Sequence, residues 1–169
     1  MRTCRDQSSR RDDPERLEAQ VPPCAVTAGG GVECWGDNRF GELGVSSTAT
    51  PSSLVPVQVT GLTRGATAIS VGAGTACAVI AGGVQCWGDN TEGQLGNNSM
   101  VSSPVPVQVT SLTSDVTAVS VGSVSACAMT ADGGVQCWGA NVDGLLGNGY
   151  SIDSGLPPFS DVPVSVTGF

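Results

Sequence analysis

Six cysteines fall into three local pairs, Cys24/Cys34, Cys77/Cys86 and Cys127/Cys137, spaced 10, 9 and 10 residues apart. Thiols so placed can form disulfides, hold a metal, or pack as small hydrophobes. Zinc fits badly, because there is no CxxC, no His and no shared set of four ligands. Counting across the Gly-bearing turns between the partners favours the first chemistry. With Ala81-Gly82 as a two-residue turn, Ile80 faces Gly83, Val79 faces Val84, Ala78 faces Gln85 and Cys77 faces Cys86. Three-residue turns bring Cys24 opposite Cys34 and Cys127 opposite Cys137 in the same way. Opposed positions on antiparallel strands have Cα atoms about 4.5–5.5 Å apart, within reach of a disulfide. The expectation is three cross-strand disulfides, with buried free thiols as the alternative. Such Cys density points to an oxidising compartment. Cys4 is left over by count.

Other chemistries have less to stand on. The chain has no His and no Lys. That removes Ser-His-Asp and Cys-His nucleophile pairs, the phosphate-loop Lys and Schiff-base chemistry. A carboxylate pair stays open in principle, yet no Asp or Glu stands apart from its solvated neighbours. Asp37 and Asp89 sit among Gly and Asn as calcium ligands do, but the third copy has Ala140 there. Each such loop also offers too few oxygens for calcium. The expectation is therefore a non-catalytic chain with no catalytic residue, no metal and no cofactor. Asn97-Asn98-Ser99 matches the N-glycosylation acceptor pattern.

Charge narrows the partners. Net charge is −8, and five of seven Arg (Arg2, Arg5, Arg10, Arg11, Arg16) precede residue 24. From Cys24 onward only Arg39 and Arg64 stand against ten acids. A nucleic-acid face needs clustered cations, and an anionic membrane surface repels an acidic domain. No apolar run is long enough to span a bilayer, and the N-terminus lacks the apolar core of a signal peptide.

The cysteine pairs are carried by a repeating unit. The phrases WGDNRFGELG (35–44), WGDNTEGQLG (87–96) and WGANVDGLLG (138–147) each follow a Cys, with Trp-to-Trp steps of 52 and 51 residues. Self-similarity at this period marks a repeat architecture whose units bury apolar faces only against neighbours. Each unit reads as a hairpin bearing the Cys pair, the polar Gly-rich loop, and a VPV strand. Pro56, Pro106 and Pro163 place the VPV strands at sheet edges. Apolar strands of small residues, 68–74 and 118–124, precede the second and third hairpins. Four strands per unit predict an all-β fold of β-propeller blades, four-stranded antiparallel sheets, in an incomplete ring of about three blades. A β-solenoid is the alternative. Residues 1–23 read as a non-repeat tail, disordered or with a short helix at 12–20. The repeat region is 24–169, in units of about 24–65, 66–115 and 116–169, and the third carries an insertion near 151–161.

Within the phrase, Trp35, Trp87 and Trp138 point to the sheet face opposite the Cys. Packing between blades, with the indole N–H given to a carbonyl, is preferred over a ring of exposed binding aromatics. Gly36, Gly88 and Gly139 follow the Trp. Asn38, Asn90 and Asn141 read as turn residues that tolerate positive φ, like Gly41, Gly93, Gly144, Gly44, Gly96 and Gly147. Leu43, Leu95 and Leu146 read as apolar anchors of the loops.

With CWGDNxxGxLG and the strand SVGAG before its hairpin, the chain resembles the regulator of chromosome condensation repeat family over about residues 24–169. The resemblance implies a seven-bladed propeller. The paired Cys are similar to those of the bacterial branch, often found in secreted or surface proteins. Many family copies carry a His before the hairpin; here the region reads GTAC (74–77) and VSAC (124–127), which weakens inferences specific to eukaryotic members.

Under three full blades are legible, so a fragment of a larger propeller, or one protomer of a ring built from several chains, is expected. Bare edges would then be completed by further sequence or by other chains. The expected function is a protein-binding scaffold, extracellular or on the cell surface, with cytoplasmic as the alternative. A secreted propeller inhibitor of β-lactamases in this structural family gives protein binding a precedent. Contact candidates are residues that differ between copies: Arg39, Phe40, Glu42, Thr91, Glu92, Gln94, Val142, Asp143 and Leu145, and the 151–161 insertion with Tyr150 and Phe159. No nucleic acid and no membrane insertion are expected. Guanine-nucleotide exchange on a small GTPase is a second reading, and a gene fragment without independent function a third.

Overall fold

The computed structural model describes residues 21–46, 51–150 and 158–168. Residues 1–20 of the tail, with the expected 12–20 helix and Cys4, and residues 151–157 of the insertion lie outside the described residues.

Among the described residues eleven strands form three antiparallel sheets. The first holds β1 (Cys24–Val26), β2 (Val32–Asp37) and β3 (Ser52–Gln58), in that spatial order. The second holds β4 (Ala66–Val71), β5 (Thr75–Ile80), β6 (Gly83–Gly88) and β7 (Ser103–Gln108). The third holds β8 (Val116–Val121), β9 (Ser125–Thr130), β10 (Val135–Ala140) and β11 (Phe159–Ser165). Each sheet is an up-and-down meander, the form of a propeller blade. The Pro-bearing strands β3, β7 and β11 are sheet edges, where a missing N–H costs no ladder bond.

The hairpin register follows from turn chemistry. Ala81 and Gly82 both have positive φ, 49° and 83°, the two-residue turn whose twist matches its strands. The other two hairpins are one residue longer and place a left-handed Gly at the third loop position, Gly30 (φ 76°) and Gly133 (φ 88°). All three arrangements set Cys opposite Cys: Cys24↔Cys34, Cys77↔Cys86 and Cys127↔Cys137. Each pair is bonded, with Cα atoms 4.1, 4.0 and 4.0 Å apart.

A second irregularity aims the tryptophans. Pairing of β2 with β3, β6 with β7, and β10 with β11 shifts register between the Cys and the Gly that flank each Trp. Gly36, Gly88 and Gly139 take φ of 102°, 103° and 99° there, so the strand bulges at the Trp.

The core lies between sheets. Trp87, Ala76 and Ala78 of the second sheet pack with Val32, Cys34, Leu43 and Val59 of the first. The other face of the second sheet, with Cys77, Val79, Val84 and Cys86, packs with Ala126, Ala128 and Trp138 of the third. The first and second sheets thus turn their disulfides toward the next sheet, and the second and third turn their Trp toward the previous one. The innermost strands touch: Val121 N donates to Ser70 Oγ at 3.0 Å, and any side chain at Gly72 would collide with the Gly122 main chain. The middle sheet, covered on both faces, buries five of the six residues of β5.

Candidate binding surface

The loops after β2, β6 and β10 occupy equivalent places in the three sheets and carry the residues that vary most between copies. Their frame is a repeated set of internal hydrogen bonds. Asn38 Oδ1 accepts from Leu43 N at 3.0 Å, Asn90 Oδ1 from Leu95 N at 2.8 Å, and Asn141 Oδ1 from Leu146 N at 3.0 Å. Asn90 Nδ2 also donates to Ser99 O (2.7 Å) and Val101 O (3.2 Å), and Asn141 Nδ2 to Tyr150 O (3.1 Å). All three Asn are buried. None has positive φ, so the turn role expected for them is corrected. The amide stands in for a missing backbone partner on each side of the loop. The glycines do meet the expectation: Gly41, Gly93, Gly144, Gly44, Gly96 and Gly147 all have φ between 60° and 86°. Leu43, Leu95 and Leu146 are buried beneath the loops.

Asp37 and Asp89 spend their oxygens inside the loops. Asp37 accepts from Asn38 N and pairs with Arg39; Asp89 accepts from Thr91 N, Thr91 Oγ1 and Ser102 Oγ. Exposed Arg39, held beside Asp37, keeps its charge more firmly than a free guanidinium. Among the described residues no group of three or more His, Cys, Asp or Glu could hold a metal. Every buried side-chain nitrogen and oxygen there has a partner.

The variable residues divide in two. Arg39, Phe40, Thr91, Glu92, Val142, Asp143, Leu145 and Tyr150 are exposed, and Phe159 is half-buried. Glu42 and Gln94 turn inward, each 2% exposed, and accept from Phe40 N and Glu92 N at 2.8 Å. Burial pushes the Glu42 carboxyl above the usual range. Phe40, although exposed, leans toward the next sheet beside Gly74. In the third sheet Asn148, Tyr150, Phe159, Ser160 and Asp161 line an open groove of about 340 Å³. A similar groove of about 360 Å³ runs along Asp37, Arg39 and Pro51–Leu54 of the first. Asn97 of the glycosylation pattern is half-buried and accepts from Asn90 Nδ2 at 3.3 Å.

The tryptophans lock one loop to the next sheet. Trp87 Nε1 donates to Glu42 O at 2.8 Å, and Trp138 Nε1 to Gln94 O at 2.7 Å. A Cβ at Gly44 would lie 2.9 Å from Trp87 Nε1, and one at Gly96 2.8 Å from Trp138 Cδ1. Small size here lets the loop backbone lie on the indole. Trp35 is half-buried and its indole has no such partner among the described residues.

Sequence and structure comparisons agree with this architecture. A profile described as the regulator of chromosome condensation (RCC1) repeat matches residues 29–79 and 81–129, and a second profile of the same description matches 116–145. No curated protein matches the sequence. Similar solved structures include yeast RCC1 (Prp20) bound to Kap60 (TM-score 0.74, 18% identity, 89% of this chain). Others are human WBSCR16 (0.71, 26%, 87%) and Prp20p from Saccharomyces cerevisiae, described with its binding properties to Gsp1p and histones (0.69, 18%, 89%). The chain spans 36%, 37% and 37% of the chains in those three structures.

Proposed function

This chain belongs to the regulator of chromosome condensation repeat family, and from that premise we propose that it is a non-catalytic protein-binding module of an extracellular or cell-surface propeller. The observation that carries the reading is the division within each loop. A constant frame (Asn amide, buried Leu, left-handed Gly) holds the loop still, while Arg39, Phe40, Thr91, Glu92 and Val142 differ between copies and face solvent. Rigid loops of varied chemistry on a fixed scaffold suit protein recognition, because little ordering entropy is lost on binding. Three bonded Cys pairs favour an oxidising compartment. The acidic repeats favour a partner with a basic patch. The yeast relative Prp20 is described bound to Kap60 in one structure and with its binding properties to Gsp1p and histones in another, a precedent for the class of partner rather than its identity.

The test is affinity capture from the extracellular fraction, repeated with the double variant R39T/F40E, which writes the second loop's residues onto the first. A partner captured by the parent and released by a variant of unchanged melting temperature supports the reading. Capture indifferent to every loop exchange overturns it. Release of a fluorescent guanine nucleotide from a small GTPase, catalysed by chain with all thiols free, would favour the exchange reading instead.

A further inference from the structure

The two sheet-to-sheet junctions inside the chain are built from the same contacts, and the two outer sheets each carry one half of that set. At the first junction Trp87 donates to Glu42 O, Gly44 lies on the Trp87 indole, and Gly41 abuts Pro104 of β7. At the second, Trp138 donates to Gln94 O, Gly96 lies on the Trp138 indole, and Gly93 abuts Asp161 of β11. Pro104 and Asp161 correspond to Leu54 of β3, since each follows a Ser whose hydroxyl donates to the carbonyl two residues on. Among the described residues the first sheet therefore presents an unused Trp35 and an unused Leu54. Among the same residues, the third presents an unused Leu145 carbonyl, and Gly144 and Gly147 with no Trp or outer strand against them.

Exposure follows the same division. Ala78 and Ala128 are 0% and 2% exposed inside the junctions, whereas their counterpart Ala25 is exposed. Val79 is 1% exposed, whereas its counterpart Met129 is 48% exposed. Leu54, Val55, Met129 and Leu145 are among the large apolar side chains left in solvent, all on the outer sheets.

We propose that the outer face of the first sheet docks on the outer face of the third sheet of a second copy, head to tail. The occupant is argued from the chain itself: donor, acceptor, small-residue seat and apolar surface on one end match those on the other, and the two internal junctions show that this pairing packs. Such an interface is heterologous, so it leads to a closed ring or an open filament rather than a two-fold dimer. The inference concerns the sheet faces and not the loops, so it stands whether or not the loops bind a partner.

The experiment is sedimentation velocity of the full, oxidised chain across a hundredfold concentration range, with A25D and M129D as variants. Both positions are exposed, so a charge there spares the fold; far-UV circular dichroism and the thermal melt check this. The parent should self-associate. A25D spoils only the first-sheet face and M129D only the third-sheet face, so each alone should be monomeric. An equimolar mixture should form a species of twice the monomer mass and nothing larger, because one intact pair of faces remains. A parent that stays monomeric at every concentration overturns the proposal. So does self-association that survives both variants, or a mixture that stays monomeric.

Discussion

The indole N–H of Trp87 donates to the main-chain carbonyl of Glu42, 45 residues earlier and in the neighbouring sheet. The contact ties the loop of one repeat to the strand of the next. Trp87 is fully buried, while Trp35, at the same place in the first repeat, is half-buried. Trp87→Ala should therefore cost about 3–5 kcal/mol of stability, by cavity and lost hydrogen bond. Trp35→Ala in the monomer should cost about 1 kcal/mol or less. Urea denaturation followed by circular dichroism gives both numbers. Equal losses would contradict the assignment of Trp35 to an open face.

Reduction should loosen all three sheets. Each bond closes a loop of about ten residues, and removing Cys77 and Cys86 together by Ala substitution should cost about 2–3 kcal/mol. Thiol titration in denaturant should find six additional thiols after reduction. All thiols reactive before reduction would contradict the pairing.

Asn90→Ala should leave the Leu95 N–H and the Ser99 carbonyl without their partner in a buried loop. The expected loss is about 1–3 kcal/mol, with faster amide hydrogen exchange at Leu95. Asn90→Asp keeps the acceptor and loses the donor, so protection at Leu95 should survive it. Unchanged exchange in the Ala variant would rule out this role.

Glu42 gives a pH prediction. Burial, the largest cause, raises its pKa in the folded chain above the unfolded value. The folded state thus holds the proton more tightly. Its contribution to stability is greatest below the ordinary Glu range, falls as pH rises through the raised value, and is constant above it. Glu42→Gln, which copies Gln94, should raise the melting temperature at neutral pH by about 2–4 °C, the shift for about 1 kcal/mol in a domain of this size. Parent and variant should converge in acid. A lower melting temperature for the variant at neutral pH would refute it.

Much of the scaffold could be read from the sequence, because short turns leave little freedom in register. The one-residue difference between the Ala81-Gly82 turn and its longer counterparts is absorbed by a single left-handed Gly, so Cys faces Cys in every hairpin. Alternation put Trp87 and Cys86 on opposite faces, and the structure places them in different junctions. The loops were harder. Asn is suited both to positive φ and to amide bridging, and residue type does not distinguish the two. Only the fold shows the Asn90 amide between Leu95 N–H and Ser99 O. Glu42 and Gln94 vary between copies as contact residues do, yet their side chains close the loop from inside.

Because the acceptor of Trp87 and of Trp138 is a main-chain oxygen, the residue that supplies it is not constrained by the bond. Glu, Gln and Leu occupy that site in the three repeats. Mutation can rewrite the crown for a new target without disturbing the hinge between neighbours, and duplication can add a unit without inventing a new seam.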